Sequence, residues 1–329
     1  MKCLICESNI FKDFERIYDL KGIHFVYIEE YDFSLPEILA KNQFDAIFAK
    51  IGQNLNSKNL SNQKNLKYII TPTTGIDHIN LEYCLKNKIK VISLKGEYKF
   101  LDSISTTAEH AWTLFLNLNR DFLKSVSTVK NQIWDRKLLS QYQIKGDSVG
   151  ILGFGRLGKM IAKYAEAFGL KIFYYDIKNL NLPKKYNKTD SLCELISKVD
   201  HLFIVVNYNV GDKELLNKID LGNINLKTLI NVSRGELVNE KFICEEIIAG
   251  NLKKYGTDVL KGDSCVDPIH SKSFLKSSEI YNLSKDNDNI LITPHCGGYA
   301  INVLKETREF VLKKFLKEIN YNNLTRLKE

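Results

Sequence analysis

A chain of 329 residues exceeds the roughly 250–300 residues at which one hydrophobic core stops growing, so two domains are expected. With 44% hydrophobic and 26% charged residues, and only 5 prolines and 18 glycines, the composition excludes a disordered or fibrous chain. The net charge of +8 comes from 47 basic and 39 acidic residues spread along the chain; no basic run is longer than a pair such as Lys184-Lys185 or Lys253-Lys254, which argues against nucleic acid as a partner.

The N-terminal apolar run breaks at Glu7, too early for a signal-peptide core, and no stretch approaches the ~18 apolar residues of a membrane span. No membrane association is expected. Cys3 and Cys6 form C-x-x-C, but on a strand they face opposite ways and no second pair matches them, so they read as buried thiols. The seven cysteines are scattered without disulfide spacing, which points to a reducing, cytoplasmic compartment.

Short apolar runs at 3–6, 24–28, 46–49, 68–71 and 90–94 alternate with amphipathic segments at 11–20 and 36–41. Alternation of this kind implies a parallel sheet with covering helices, because parallel neighbours need crossover connections. The first α/β domain is placed at residues 1–99. Residues 105–120 form a helix that is apolar nearly all round, through Ala108, Ala111, Trp112, Leu114, Phe115, Leu116 and Leu118, and so is buried on two sides. A homodimer is the further expectation drawn from it. Alternation restarts with runs at 149–152, 171–175, 201–206, 228–232, 255–259 and 290–293, a second and larger parallel sheet. Residues 264–289 are polar without a steady period and read as a long surface excursion; the tail at 300–316 is helical in pattern.

Directly after the first strand of that second sheet stands G-I-L-G-F-G-R-L-G, residues 150–158. It contains G-x-G-x-x-G running from strand into helix, the context that makes this weak motif informative. Gly153 permits the tight turn, Gly155 lets backbone approach a pyrophosphate, and Gly158 allows close helix–strand packing. Phosphates would meet the helix N-terminus at Arg156, Leu157 and Gly158. Asp176 ends the next strand, about 20 residues on, where a carboxylate accepts hydrogen bonds from the adenosine ribose and repels a 2′-phosphate. The cofactor is therefore read as NAD rather than NADP, with Lys178 the one neighbour of opposite tendency.

Three later segments each follow a strand: N-V-S-R-G with Val232 and Arg234, G-T-D-V with Asp258, and T-P-H-C-G-G with His295 and Gly298. Carboxyl ends of parallel strands face the ligand crevice, so these residues can converge. In this order after the glycine loop, with T-G-I-D-H-I-N at 74–80, A-E-H at 108–110 and Trp134, they resemble the D-isomer-specific 2-hydroxyacid dehydrogenase family over nearly the whole chain.

The resemblance implies a Rossmann NAD-binding domain, 100–298, inserted into a discontinuous flavodoxin-like substrate domain, 1–99 plus 299–329. It implies hydride transfer between NAD and C2 of a small 2-hydroxy or 2-keto acid. By position, Arg234 would clamp the substrate carboxylate, His295 would be the acid/base, and Asp258 would face the nicotinamide carboxamide. Lys50, Gly52, Thr74 and Gly75 would lie at the carboxylate, with backbone N–H groups presented to it. The family commonly supplies a Glu partner for the histidine; here that place holds Asp263, one methylene shorter, with Asp267 the substitute if the register slips. Lys50 matches a phosphate-binding position of phosphoglycerate-specific relatives, but Gly52 stands where they place a second basic residue, so phosphoglycerate is not favoured. Formate is disfavoured because relatives acting on it carry an amide in place of the carboxylate partner. An NAD-sensing scaffold or co-repressor on the same fold is the alternative reading. His78, His110, His201 and His270 lack ligand spacing and read as packing or hydrogen-bonding residues; Cys296 reads as a small buried side chain.

Overall fold

The computed structural model describes residues 1–18, 20–209, 211–217, 225–266 and 270–320. The chain divides into two compact units, one of Met1–Leu101, Ser264–His270 and Ala300–Glu329, the other of Asp102–Asp263 and Ser271–Tyr299.

The first unit is built on β1 (Lys2–Ile5), β2 (His24–Tyr27), β3 (Ala46–Phe48), β4 (Tyr68–Ile70) and β5 (Lys90–Ile92), all parallel, in the order β2-β1-β3-β4-β5. This is the flavodoxin-like doubly wound order. Its strands are short apolar runs because both faces are covered. The helix Ile301–Glu318 supplies one cover: Val311, Leu312, Phe315 and Leu316 are at most 2% exposed, and Phe315 stands edge-on to Phe48 and Tyr68. Arg308 of that helix grips Glu7 through three hydrogen bonds of 2.7–3.0 Å, a forked pairing that only a guanidinium makes. Cys3 and Cys6 are buried thiols, each pushed up to about 12 by desolvation.

The second unit carries seven parallel strands: β6 (Ser148–Leu152), β7 (Lys171–Tyr175), β8 (Asn187–Lys188), β9 (His201–Ile204), β10 (Leu226–Asn231), β11 (Leu252–Thr257) and β12 (Ile290–Ile292). Their order, β12-β11-β10-β9-β6-β7-β8, reverses at β6 and β9, the switch point of a Rossmann sheet. The helix Thr106–Asn119 buries Ala108, Ala111, Trp112, Leu114, Phe115 and Leu118 against this sheet and the helix Arg156–Ala167. Gly256 makes room for it, since a Cβ there would stand 2.8 Å from Ile230 and 3.0 Å from Leu118. Its all-round apolarity thus belongs to its own unit's core.

Two stretches differ from the sequence reading. The excursion at 264–289 contains helices Ser271–Ser277 and Glu279–Ser284, and Ile280 is buried in the second unit's core with Phe274, Leu275 and Leu283 packed beside it. Helices of two turns or fewer offer too few residues for a period to register. A helix Phe122–Lys130, not anticipated above, follows the buried one, and Phe122, Leu123 and Val129 on it are more than half exposed.

Candidate active site

The carboxyl ends of five strands in the second unit deliver the residues that matter. After β6 the chain turns at Gly153, whose φ of +92° and a would-be Cβ 2.8 Å from Val206 admit only glycine. Gly158 lies against that turn so closely that a Cβ would sit 2.2 Å from the Gly153 carbonyl oxygen. Gly155, the N-cap of helix Arg156–Ala167, is the contrast: nothing lies within 4 Å of where its Cβ would be. The result is an open approach to the N–H groups of Arg156, Leu157 and Gly158, which the first turn leaves unbonded within the helix. The Arg156 side chain turns away to the Ile104 carbonyl, and Leu157 packs on the core. Asp176, at the end of β7, accepts from Phe154 N–H and Lys178 N–H at 2.8 Å each, which fixes its carboxylate beside the glycine turn. A helix N-terminus with open space at Gly155 and a fixed acid at one side fits an adenine dinucleotide.

After β10, Asn231 holds the turn by donating to the Arg234 carbonyl at 2.9 Å, and Val232 is buried in the core beneath it. Arg234 is half-buried and donates to the Ser233 carbonyl at 2.7 Å. After β11, Asp258 is 3% exposed and accepts from Thr293 Oγ1 (2.6 Å), Cys296 N–H (2.9 Å) and Gly297 N–H (2.7 Å), with His110 Nε2 at 3.3 Å. Burial alone would raise its pKa; these contacts, His110 and Thr293 foremost, outweigh it and hold the carboxyl below the ordinary aspartate value. After β12, His295 takes a left-handed φ of +51°, donating its N–H to the carbonyls of Asp258 and Thr293. Such a conformation in a non-glycine residue is the kind of local strain that accompanies functional positions.

His295 Nδ1 lies 3.0 Å from Asp263 Oδ2, with the two side chains 19% and 11% exposed. The approach is a charge pairing off the line of a hydrogen bond, for Nδ1 and Asp263 Oδ1 are buried without a hydrogen-bond partner among the described residues. Burial opposes protonation of this imidazole, the Asp263 carboxylate outweighs burial, Arg234 opposes in turn and Asp258 adds; the net effect raises the pKa above the ordinary histidine value. The shorter arm of Asp263 therefore spans the gap within a single unit. Asp267 lies outside the described residues.

Two neighbours make that reach possible, and neither was singled out in the sequence. Gly235 follows Arg234, and a Cβ on it would stand 2.1 Å from Leu260 C and 2.2 Å from Lys261 N, so the loop that carries Asp263 rests directly on a bare glycine. Glu236 then accepts from Gly262 N–H at 2.9 Å. His110, read from the sequence as a packing or hydrogen-bonding residue, makes its hydrogen bond to Thr293 Oγ1 at 2.8 Å across 183 residues of sequence. Gly298 is exposed beside this cluster.

The first unit holds the remaining candidates at the ends of β3 and β4. Lys50 is half-buried and donates its backbone N–H to Gln53; Thr74 is exposed and Gly75 half-buried. Gly52 departs from its expected part, because its N–H is already given to the Ser264 carbonyl at 2.9 Å. Its φ of +93° and the Val266 carbonyl oxygen 2.8 Å from a would-be Cβ exclude any side chain there.

Against known families, residues 7–173 match the catalytic domain, and residues 112–297 the NAD binding domain, of D-isomer specific 2-hydroxyacid dehydrogenases. The chain belongs to this family. It is an NAD-dependent oxidoreductase of the D-2-hydroxyacid dehydrogenase type. The dehydrogenase is 27% identical over 259 residues to hydroxypyruvate reductase of Thermotoga maritima, covering 78% of each chain. It is 24% identical over 302 residues to glyoxylate reductase of Pyrococcus furiosus, 88% of this chain and 84% of the relative. Among solved structures, D-lactate dehydrogenase from Aquifex aeolicus complexed with NAD and lactic acid superposes with a TM-score of 0.75 at 24% identity, over 100% of both chains, a likeness of fold.

Proposed function

We propose that this dehydrogenase interconverts a small, unphosphorylated 2-keto acid and its 2-hydroxy acid, with His295 as acid/base and Arg234 as the clamp for carboxylate and carbonyl. The observation that carries this reading is the His295–Asp263 pair at 3.0 Å, a half-buried imidazole whose protonation the carboxylate favours, with Arg234 near enough to oppose it. NAD, when bound, supplies the hydride acceptor or donor at C2. With Nδ1 in the charge pairing with Asp263, Nε2 is the nitrogen left to exchange a proton with the C2 oxygen. Asp263 holds that proton in place in the reducing direction. The guanidinium of Arg234 offers paired donors to a planar carboxylate and stays charged throughout. Lys50, Thr74 and Gly75 contribute carboxylate recognition in the first unit, and Asp258 orients the nicotinamide carboxamide. Gly52 supports the small substrate, since no second cation for a phosphate can be carried at that backbone position; relatives named for hydroxypyruvate and glyoxylate reduction agree with it.

Purified protein with NADH and a panel of glyoxylate, hydroxypyruvate, pyruvate and 3-phosphohydroxypyruvate tests the reading. His295→Ala and Arg234→Ala are each expected to lower kcat/KM by about 10²–10⁴-fold while NADH still binds. No NADH consumption by wild type would overturn catalysis in favour of ligand sensing; equal loss of NADH binding in the variants would overturn the assigned roles. We further infer a cytoplasmic enzyme, in keeping with free cysteines throughout the described residues and no helix among them long and apolar enough to cross a membrane, and a homodimer, taken up below.

A further inference from the structure

Beside the His295–Asp263 pair, three side chains from separate segments bring different donor atoms together: the His110 imidazole from helix Thr106–Asn119, the Asp258 carboxylate after β11 and the Cys296 thiol after β12. Nε2 of His110 is 3.3 Å from Asp258 Oδ1 and 4.0 Å from Cys296 Sγ, and all three donor atoms lie within 4.8 Å of one another. We propose that His110, Asp258 and Cys296 form a binding site for a divalent ion of the zinc class, and that its occupation inhibits the dehydrogenase.

Zinc bonds nitrogen, oxygen and sulfur at about 2.0–2.3 Å, and tetrahedral ligands at those lengths stand roughly 3.3–3.8 Å apart. The separations here bracket that range, so small side-chain shifts complete the coordination. A mixed N, O, S set suits a borderline ion and disfavours calcium or magnesium, which want oxygen alone. Asp258 is held in advance by the N–H groups of Cys296 and Gly297, an outer shell that fixes a ligating carboxylate. The Thr293 hydroxyl, now between His110 at 2.8 Å and Asp258 at 2.6 Å, gives way as the ion enters. Binding forms metal–sulfur, metal–oxygen and metal–nitrogen bonds: the S–H bond breaks and its proton goes to solvent, and the proton that His110 Nε2 gives to Thr293 moves to Nδ1 by exchange with solvent, so that a neutral imidazole offers its Nε2 lone pair. The thiolate and carboxylate then neutralise the ion's two charges, and a fourth coordination position stays open. Inhibition rests on the proposed role of Asp258 at the nicotinamide: an aspartate engaged by a metal no longer orients that ring, and His295 is the residue next to the ligating cysteine.

The binding measurement is made first and needs no turnover. Untagged protein is titrated with zinc against a chromogenic chelator, and separately with cobalt(II), followed by absorption. The expected result is one ion per chain with a thiolate-to-cobalt charge-transfer band, the affinity falling at least tenfold in Cys296→Ser and in His110→Gln, both checked for wild-type melting. Unchanged affinity in either folded variant, or a cobalt spectrum without the sulfur band, overturns the site. In the NADH assay, zinc is expected to inhibit wild type and to spare Cys296→Ser. Binding at the three residues without inhibition overturns the inhibitory claim and counts against Asp258 at the nicotinamide, while leaving the roles of His295 and Arg234 standing.

Discussion

His295 shows how one side chain is tuned by opposed neighbours. Desolvation and Arg234 both work against the imidazolium, and only the carboxylates, Asp263 above all, keep the pKa above that of a free histidine. In the proposed acid/base role, reduction of a keto acid consumes the protonated form, so its rate is expected to hold below that raised value and to fall as pH rises through it. In Asp263→Asn the main raising influence is gone while burial and Arg234 remain. The falling limb is then expected to move to lower pH, with kcat for reduction at neutral pH down by about 10–100-fold, part of the roughly 10²–10⁴-fold that acid–base catalysis supplies. A pH–rate profile checks this: an unmoved limb would mean that another group delivers the proton. Asp263→Glu keeps the charge and is expected to stay nearer to wild type than the amide.

The loop between β11 and the Asp263 turn is an element whose position depends on a missing side chain. A methyl group at Gly235 would overlap the backbone at Leu260 and Lys261, atoms that cannot swing aside as a side-chain tip can. Gly235→Ala is therefore expected to lift the loop, cost about 1–3 kcal/mol of stability as overpacking does, and withdraw Asp263 from His295. Thermal melting reads the first effect; the second shows as the same acid shift of the pH–rate limb as in Asp263→Asn. Destabilisation without that shift would detach Gly235 from the site. This contrast marks what sequence could carry. The strands, the glycine turn and Asp176 are legible because they rest on local patterns, apolar runs and residues a few positions apart. Gly235, Glu236 and His110 act through contacts between distant segments, which no spacing encodes. The helices at 271–284 escaped because they are too short to show a period, and no local pattern marks that Gly52 gives its N–H to Ser264, far along the chain.

Each unit closes its core with its own helices, and what is left uncovered concerns the molecule as a whole. The helix Thr106–Asn119, whose apolarity first suggested a partner subunit, is satisfied within its own unit. The next segment is the one that offers a dimer face: Phe122, Leu123, Val129 and Trp134 are 56%, 56%, 54% and 91% exposed and Val126 and Ile133 are partly so. Six large apolar side chains within thirteen residues are more than a monomer scatters on its surface by chance, and clusters of this kind mark association sites. The segment is also anchored: Lys254, 5% exposed, donates to the Leu118 carbonyl (2.6 Å) and to Asp121 (2.9 Å), the residue that caps the Phe122–Lys130 helix in a left-handed turn. A stiffened apolar face loses little entropy on association, and in a homo-oligomer the same face on a second copy is its natural cover. The double variant Leu123→Glu, Val129→Glu places two charges in that face without touching either core. Light scattering at micromolar concentration is expected to give a dimer for wild type and a monomer for the variant, with melting of the second unit changed little. A wild-type monomer, or a variant dimer, would leave this face to a different partner.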